Sequence, residues 1–225
     1  MGDANVLRNG QARLFINEVF GPTIQGEGPQ IGQPTWFVRF AGCDLRCSWC
    51  DTKYSWDTEH AEETTAEEIA SLIPSGWTGW VCLTGGNPAL YDLTELIDRL
   101  HRRGLLVSLE TQGTLWQDWF YKIDSLVVSP KQGAILSLAR IAPHVKRACL
   151  KIVVFDRKDL AFAQDVVKNL PSSLPVIVQP GTDKGHLCLS EYQWLVEKLL
   201  HDPVLKRARF LPQLHVLIWG PRRGV

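Results

Sequence analysis

The chain alternates between short apolar segments and segments in which apolar residues recur every three or four positions. The first pattern is typical of buried strands and the second of amphipathic helices. Strands are predicted at Leu14 to Phe20, Thr35 to Phe40, Trp80 to Leu83, Leu105 to Leu109, Ser125 to Val128, Leu150 to Phe155 and Val176 to Val178. Helices are predicted at Thr65 to Ile73, Leu93 to Leu100, Ile135 to Arg140, Leu160 to Leu170 and Glu191 to His201, and a final extended segment at Leu214 to Trp219.

Strands separated by helices predict right-handed βαβ units and a parallel sheet. About six repeated strands are fewer than the eight that close a full barrel. We therefore predict an α/β fold, a partial, open TIM-type barrel of parallel strands with helices outside, and keep a doubly wound sheet as the alternative. The 225 residues suit a single domain spanning 1–225, in which 1–13 form a flexible N-terminal extension.

The charge balance argues against two classes of function. Lys and Arg number 24, and so do Asp and Glu, so the chain lacks the basic excess that holds a nucleic-acid backbone. The N-terminus has no apolar stretch for a signal peptide, and no later run approaches the ~20 apolar residues of a membrane span. We expect a soluble, cytoplasmic protein that binds neither nucleic acid nor membrane.

Polar residues follow several of the predicted strands. In parallel α/β folds, the residues that do chemistry lie beyond the carboxyl ends of the strands, where the loops converge. Such clusters occur at Thr84 to Pro88, Glu110 to Gly113, Ser129 to Lys131 and Gln179 to Gly181. Each alone is an ordinary turn, but four of them predict a functional edge of the sheet.

Three of the six cysteines, Cys43, Cys47 and Cys50, lie in a C-x3-C-x2-C spacing directly after a predicted strand. A structural zinc site normally needs four protein ligands, and His60 is the nearest candidate for the fourth. A [4Fe–4S] cluster takes one thiolate per iron, so three cysteines would leave one iron open for reaction. Cys82, Cys149 and Cys188 stand alone and are interpreted as small buried hydrophobic residues.

The cysteine spacing, with Trp49 before the last cysteine, resembles the cluster motif of the radical S-adenosylmethionine (SAM) superfamily. The resemblance implies a [4Fe–4S] cluster whose open iron chelates SAM and, once reduced, cleaves it to a 5′-deoxyadenosyl radical. It also implies that Trp49 lies by the adenine. Gly85 and Gly86 would meet the methionine end of SAM through backbone groups.

Further features narrow the resemblance: Gln25-Gly26-Glu27-Gly28, Cys50-Asp51-Thr52, ETQG, SPK and the C-terminal LPQLHVLIWGPRRGV. Together they resemble the 7-carboxy-7-deazaguanine synthases, from about Phe15 to Val225. The resemblance implies a homodimeric radical SAM lyase of queuosine and deazapurine biosynthesis. Its reaction would convert 6-carboxy-5,6,7,8-tetrahydropterin to 7-carboxy-7-deazaguanine with loss of ammonia, using SAM catalytically, Mg²⁺ and an external one-electron reductant such as flavodoxin.

The same resemblance assigns residues to the site. The expected SAM contacts are Trp49, Cys50, Asp51, Gly85, Gly86, Ser129, Pro130 and Lys131. The expected substrate contacts are Ile24, Gln25, Gly26, Glu27, Arg39, Thr84 and Val225. The expected metal ligands are Cys43, Cys47 and Cys50 for the cluster and Thr52 for Mg²⁺. No catalytic residue is expected beyond the cluster and SAM.

Chemistry supports some of these assignments. Arg39 would pair with a substrate carboxylate, because a planar guanidinium makes two parallel hydrogen bonds to that group. Gln25 and Glu27 could match the alternating donors and acceptors of the pterin edge. Structural interpretations stay open: a solvent-exposed turn for Gln25 to Glu27, a surface ion pair for Arg39 and a turn cap for Thr52.

Two further residues, Asn87 and His215, are not assigned to the site. Asn87 occupies a position where much of the superfamily has Glu in its Gly-Gly-x-Pro motif, which weakens the assignment of a carboxylate to the methionine amino group. His215 lies in an apolar tail, is interpreted as a packed core histidine and is left out of the site.

Two rival functions follow from the same cysteines. A glycyl-radical-enzyme activating enzyme is also a small radical SAM protein, but it needs neither the Gln25 and Glu27 pair nor a threonine for Mg²⁺. An electron carrier would need a fully ligated cluster, and the sequence offers no evident fourth cysteine.

Overall fold

The structure is a computed structural model that describes residues 7–8, 11–133, 141, 147–182 and 189–225. The chain forms two compact units. The first contains the described residues up to Thr23, together with Pro34–Thr111 and Leu115–Leu126. The second contains Ile24–Gln33, Gln112–Thr114 and the described residues from Val127 onward.

Most of the first unit is a sheet with two helices. Its strands are β1 (Leu7–Arg8), β2 (Gln11–Ala12), β3 (Leu14–Ile24), β4 (Pro34–Phe40), β5 (Glu62–Thr64), β6 (Trp80–Gly85), β7 (Leu106–Thr111) and the start of β8 (Ser125–Val128). Its α-helices are α1 (Ala66–Leu72) and α2 (Thr94–Arg102). The neighbour order is β7-β6-β4-β3-β5, and β4, β6 and β7 run parallel.

The parallel strands form the core of the first unit because both of their faces are covered. Val38 and Phe40 on β4 and Leu83 on β6 are fully buried. Leu96 and Leu100 of α2 are fully buried as well. Each such side chain contributes about 1.5–3 kcal/mol to folding, so these strands are held in a fixed register.

The second unit repeats the parallel pattern with β9 (Ala148–Val154), β10 (Val176–Pro180) and β11 (Arg209–Phe210). β10 pairs in parallel with both β9 and β11. Its helices are α3 (Arg157–Lys168), α4 (Leu189–His201) and α5 (Leu214–Trp219). Asp156 caps α3 by accepting hydrogen bonds from the backbone N–H groups of Lys158 and Asp159.

The strand predictions from Leu14 to Val178 are confirmed as β3, β4 and β6 to β10, and four predicted helices as α1 to α4. The predicted helix at Ile135 to Arg140 lies outside the described residues. The predicted extended segment at Leu214 to Trp219 is wrong, since these residues form α5. A short apolar run suits strand and helix alike. Gly220, at φ 65°, then ends the helix by donating its N–H to the Val216 carbonyl.

Two other expectations concern the chain as a whole. The single domain and the flexible extension at 1–13 stay predictions, although Leu7–Arg8 and Gln11–Ala12 pair as short antiparallel strands. Within the described ranges, no helix combines the length and apolar character that a membrane crossing requires.

The capping box predicted at α1 is confirmed. The Thr65 hydroxyl accepts from the Glu68 N–H, and the Glu68 carboxylate accepts from the Thr65 N–H at 2.9 Å. We expect Thr65→Ala to lower the free energy of unfolding by about 1 kcal/mol, measured by urea denaturation. The matched control Thr78→Ala changes an exposed threonine in the loop before β6, and its effect should stay within about 0.5 kcal/mol. Equal losses in the two variants would contradict a capping role.

Candidate active site

The cysteine loop begins directly after β4. Cys43, Cys47 and Cys50 are free thiols of intermediate exposure. Backbone hydrogen bonds shape the loop: Cys43 N–H donates to the Trp56 carbonyl at 2.9 Å, and Cys50 N–H donates to the Cys47 carbonyl at 3.0 Å. Three thiols thus stand on one loop, with none consumed in a disulfide.

Burial raises the pKa of the Cys43 and Cys50 thiols, and the neighbouring carboxylates of Asp44 and Asp51 raise it further. Cys47 adds to both shifts and Cys50 adds to that of Cys43, so the thiols lie within electrostatic range of one another. Among the described residues, no three His, Cys, Asp or Glu side chains form a ready-made metal site. These shifts favour the protonated form of Cys43 and Cys50, and a metal bound by their thiolates would have to displace those protons.

Two glycines fix the end of β6 against the start of this loop. A Cβ on Gly85 would lie 2.1 Å from the Phe40 carbonyl oxygen, and one on Gly86 would lie 2.0 Å from the Gly42 carbonyl oxygen. The Gly86 N–H donates to the Phe40 carbonyl at 2.9 Å. These positions need glycine because two backbones approach without room for a side chain.

Asn87 ties the cysteine loop to β7 and to the residues that follow β6. Its side chain is fully buried, and its Nδ2 donates to the Asp44 carboxylate at 2.8 Å. Its Oδ1 accepts from the Thr111 hydroxyl at 2.9 Å and from the Ala89 N–H at 3.2 Å. The Asn87 amide thus has a structural role.

Arg39 and Thr84 lie side by side, as Cα partners of the parallel pair β4 and β6. The Arg39 Nε donates to the Glu18 carboxylate at 2.7 Å, and the Tyr54 hydroxyl donates to the same oxygen at 2.7 Å. The guanidinium also lies over the rings of Phe20 and Tyr54. The ion pair engages Nε, which leaves the two terminal nitrogens outside it.

Thr52 lies at the end of the cysteine loop. Its N–H donates to the Cys50 sulfur at 3.4 Å, and its hydroxyl donates to the Asp51 carboxylate at 2.7 Å. An oxygen that donates its proton in this way keeps lone pairs for a cation. Two hard oxygen ligands of the kind Mg²⁺ prefers are therefore adjacent.

In the second unit, the segment from Ile24 to Gly28 forms a turn that is held by local hydrogen bonds. Gln25 is 5% exposed, and its N–H and carbonyl bond to Gln33 and Gly32, both at 2.8 Å. Its Oε1 accepts from the Glu27 N–H at 3.2 Å. The interpretation of these residues as a solvent-exposed turn is wrong, because Gln25 and Gly26 are buried.

Glu27 is the centre of a polar cluster in this unit. Its carboxylate pairs with Lys151 of β9 and accepts from the Gln213 amide at 2.6 Å. Burial by itself raises the Glu27 pKa, but the charges of Lys151 and His215 outweigh it and bring the pKa below its usual range. His215 packs so closely that a Cβ on Gly26 would lie 2.0 Å from its Nδ1.

Two other expected residues of the second unit, Ser129 and Lys131, follow β8, and the predicted polar cluster that begins at Gln179 starts on β10. The Lys131 ammonium donates to the Ser129 hydroxyl at 2.6 Å, just after β8. Gln179, on β10, is 1% exposed, and its Oε1 has no hydrogen-bond partner in the described part of the chain. Such a buried acceptor costs free energy unless a bound molecule supplies a donor. Val225, at the C-terminus, is partly exposed.

The structure brings the expected residues together in part, and Ser129 to Lys131 and Val225 lie at other places in the second unit. Arg39, Thr84, the cysteine loop and the glycine pair come together in the first unit, and Gln25 to Glu27 form the second group. Sequence reasoning missed Lys151 and Gln213 and set His215 aside. The available signal was Lys151, a charged residue inside an otherwise apolar strand, since buried lysines are rare unless paired.

Comparison with known proteins agrees with the resemblance found in the sequence. Residues 37–129 match the radical SAM superfamily. The chain is 42% identical to a Bacillus subtilis protein named 7-carboxy-7-deazaguanine synthase, covering 93% of this chain and 98% of that protein. It is 36% identical to a Bacillus cereus protein of the same name, covering 95% and 100%. The crystal structure of QueE from Escherichia coli superimposes with a TM-score of 0.73 at 26% identity, covering 90% and 95% of the two chains.

The protein is a radical SAM enzyme, and the predicted α/β fold class with a radical SAM core is confirmed. More narrowly, the chain belongs to the 7-carboxy-7-deazaguanine synthase family. This membership accounts for the three cysteines after β4 and supports a [4Fe–4S] cluster and SAM as its cofactors.

The close backbone approach at Gly86 can be tested by substitution. Gly86→Ala places a methyl group against the Gly42 carbonyl, so the loop must move. We expect a destabilisation of about 1–3 kcal/mol and a lower iron content after cluster reconstitution, measured by denaturation and iron analysis. Gly76→Ala is the matched control, because a Cβ there meets no atom within 4 Å. Normal iron loading in Gly86→Ala would disprove the requirement for close approach.

Proposed function

We propose that this chain converts 6-carboxy-5,6,7,8-tetrahydropterin to 7-carboxy-7-deazaguanine with loss of ammonia, as a lyase of queuosine and deazapurine biosynthesis. The observation that carries the proposal is the placement of three free thiols directly after β4, the strand that also bears Arg39. Full-length similarity to proteins named for this product supports it. Substrate and product differ by one ammonia, so the reaction needs no net oxidant.

Cys43, Cys47 and Cys50 would hold the [4Fe–4S] cluster, one thiolate to each of three irons. The cluster and SAM, when bound, supply the one-electron reduction and the hydrogen abstraction that begin the reaction. The chain's own contribution is to hold the thiols in place, through the glycine pair and the Asn87 bond to Asp44.

We assign SAM contacts to the residues that the resemblance implies, namely Trp49, Cys50, Asp51, Gly85, Gly86, Ser129, Pro130 and Lys131. We add Gln179 to them. The buried Oε1 of Gln179 accepts no hydrogen bond from the described residues, which supports its inclusion, because a hydroxyl or amino group of a ligand would satisfy it.

The substrate contacts would divide by chemistry. Arg39 would bind the substrate carboxylate through its terminal nitrogens, since Glu18 holds Nε. Thr84, its neighbour on β6, would donate or accept a hydrogen bond. Glu27 would accept from the N–H groups of the pterin, with Ile24, Gln25 and Gly26 shaping that turn and Val225 contributing its terminal carboxylate.

The remaining proposals concern the assembly of the protein, its reductant and its location. We propose a homodimer, a single domain and an external one-electron reductant such as flavodoxin. The cytoplasmic location stays a prediction from the sequence.

The test is an anaerobic assay of the cluster-loaded protein with reductant, SAM and the carboxy-tetrahydropterin. We expect 7-carboxy-7-deazaguanine and ammonia in equal amounts. Cys43→Ala, Cys47→Ala and Cys50→Ala should each abolish the iron–sulfur absorbance and the product. Cys82→Ala and Cys149→Ala remove buried thiols outside the loop and should keep both.

The rival functions give different results in the same assay. A glycyl-radical-enzyme activating enzyme would form 5′-deoxyadenosine with no response to the pterin. An electron carrier would form none. Either result with wild-type protein would reject the proposed function.

The Mg²⁺ proposal has its own test. Mg²⁺ would take the Thr52 hydroxyl and substrate oxygens, acting to orient the pterin. Thr52→Ala should keep cluster content and SAM binding while turnover falls about tenfold or more and stops responding to added Mg²⁺. Thr52→Ser, which keeps the hydroxyl, should retain the response. A Mg²⁺ response in Thr52→Ala equal to that of wild type would place the ion elsewhere.

A further inference from the structure

A lysine lies inside the apolar strand β9. The Lys151 side chain is 5% exposed, and its strand neighbours Leu150 and Ile152 are fully buried. Burying an ammonium is costly unless a counter-charge and hydrogen bonds offset the loss of water. A lysine at this position therefore indicates that its positive charge has a function.

The counter-charge is Glu27, from a turn 124 residues away in the chain. Lys151 bonds to Oε2 of Glu27, and the Gln213 amide donates to Oε1 at 2.6 Å. The Thr182 hydroxyl in turn donates to Gln213 Oε1 at 2.8 Å, which fixes the orientation of that amide. The carboxylate is thus held at both oxygens in one orientation.

An ionised carboxylate is an acceptor at about four lone-pair positions. The hydrogen bonds from Lys151 and Gln213 take one position on each oxygen. As far as the described ranges of the chain show, one position on each oxygen is left for a ligand, and the two positions suit two adjacent N–H donors. A protonated carboxyl would present a donor there instead.

We infer that Lys151 is a positioning residue that keeps Glu27 ionised and oriented, so that the site selects a ring with two adjacent N–H donors. The inference rests on the proposed function, in which the ring is a pterin with a 2-amino group next to N3–H. It predicts rejection of the 2-oxo analogue, because its carbonyl oxygen would face a carboxylate oxygen.

Removing the charge has a defined effect on Glu27. Burial raises the Glu27 pKa, and Lys151 and His215 are the charges that oppose it. In Lys151→Met the carboxyl should therefore take up a proton as the pH falls. The acceptor pair is then lost at low pH and recovers as the pH rises through the new pKa.

The charged groups that contribute to the Glu27 shift are Lys151 of β9 and His215 of α5, and Gln213 is neutral. His215 is present in wild type and variant alike. The difference between the two pH profiles therefore reports the Lys151 charge.

The experiment measures equilibrium binding to the anaerobic, cluster-loaded protein with SAM and without reductant. The probes are 6-carboxy-5,6,7,8-tetrahydropterin and its 2-oxo analogue, between about pH 6 and about pH 8.5. The affinity of the wild-type protein for the pterin should not fall at the low-pH end through protonation of Glu27. Lys151→Met should bind it about 10- to 100-fold more weakly at the low end, recover at the high end and discriminate less against the 2-oxo analogue.

Three variants make the result specific. Lys151→Arg keeps the charge and should restore the wild-type pH profile. Lys122→Met removes a lysine from a half-exposed ion pair with Asp98 and should match wild type. If Lys151→Met fails to fold, Glu27→Gln serves, because its amide can donate to a 2-oxo group and should shift preference toward that analogue.

The outcomes separate the two proposals. Normal pterin affinity, pH profile and discrimination in folded Lys151→Met would overturn the role of Lys151 while the proposed function stands. An unchanged preference in Glu27→Gln would overturn it equally. Wild-type protein that neither binds nor converts the pterin would reject the proposed function, and the inference with it.

Discussion

The close approach of two backbones at the ends of β4 and β6 is the constraint on which the first unit depends. Gly85 and Gly86 leave no room for a Cβ beside the Phe40 and Gly42 carbonyls. The cysteine loop leaves β4 at this point, so its starting direction is set by backbone packing. The same parallel register places Arg39 opposite Thr84. Asn87 then bonds to Asp44 and holds the loop from the other side.

The second unit depends on a different interaction, the buried pair of Lys151 and Glu27. Removing one partner of such a pair leaves an uncompensated charge, at a cost of about 3–5 kcal/mol. Apolar residues in both places would fill the space at less electrostatic cost. The pair is thus better explained by what the carboxylate does for a ligand than by stability. Gln213 and Thr182 extend the cluster and reduce the freedom of Glu27 further.

The sequence predicts the strand and helix order well where periodicity is strong, as in α2, whose buried Leu96, Ile97 and Leu100 recur at helical spacing. It fails at Leu214 to Trp219, because a short, continuous apolar run carries no period. The cysteine loop could be predicted from spacing alone. The Glu27 cluster could not be predicted, because tertiary contacts bring together residues that are far apart in the chain. The packing of His215 against Gly26 likewise has no signal in the local sequence.

With three cysteine ligands, one iron of the cluster should be open for SAM. Electron–nuclear double resonance of the reduced, cluster-loaded protein tests it directly, using SAM labelled with magnetic isotopes in its amino and carboxylate groups. We expect hyperfine couplings from both labels to the cluster, and their loss in Cys50→Ala together with the cluster itself. An intact cluster that shows no coupling to either label would contradict it.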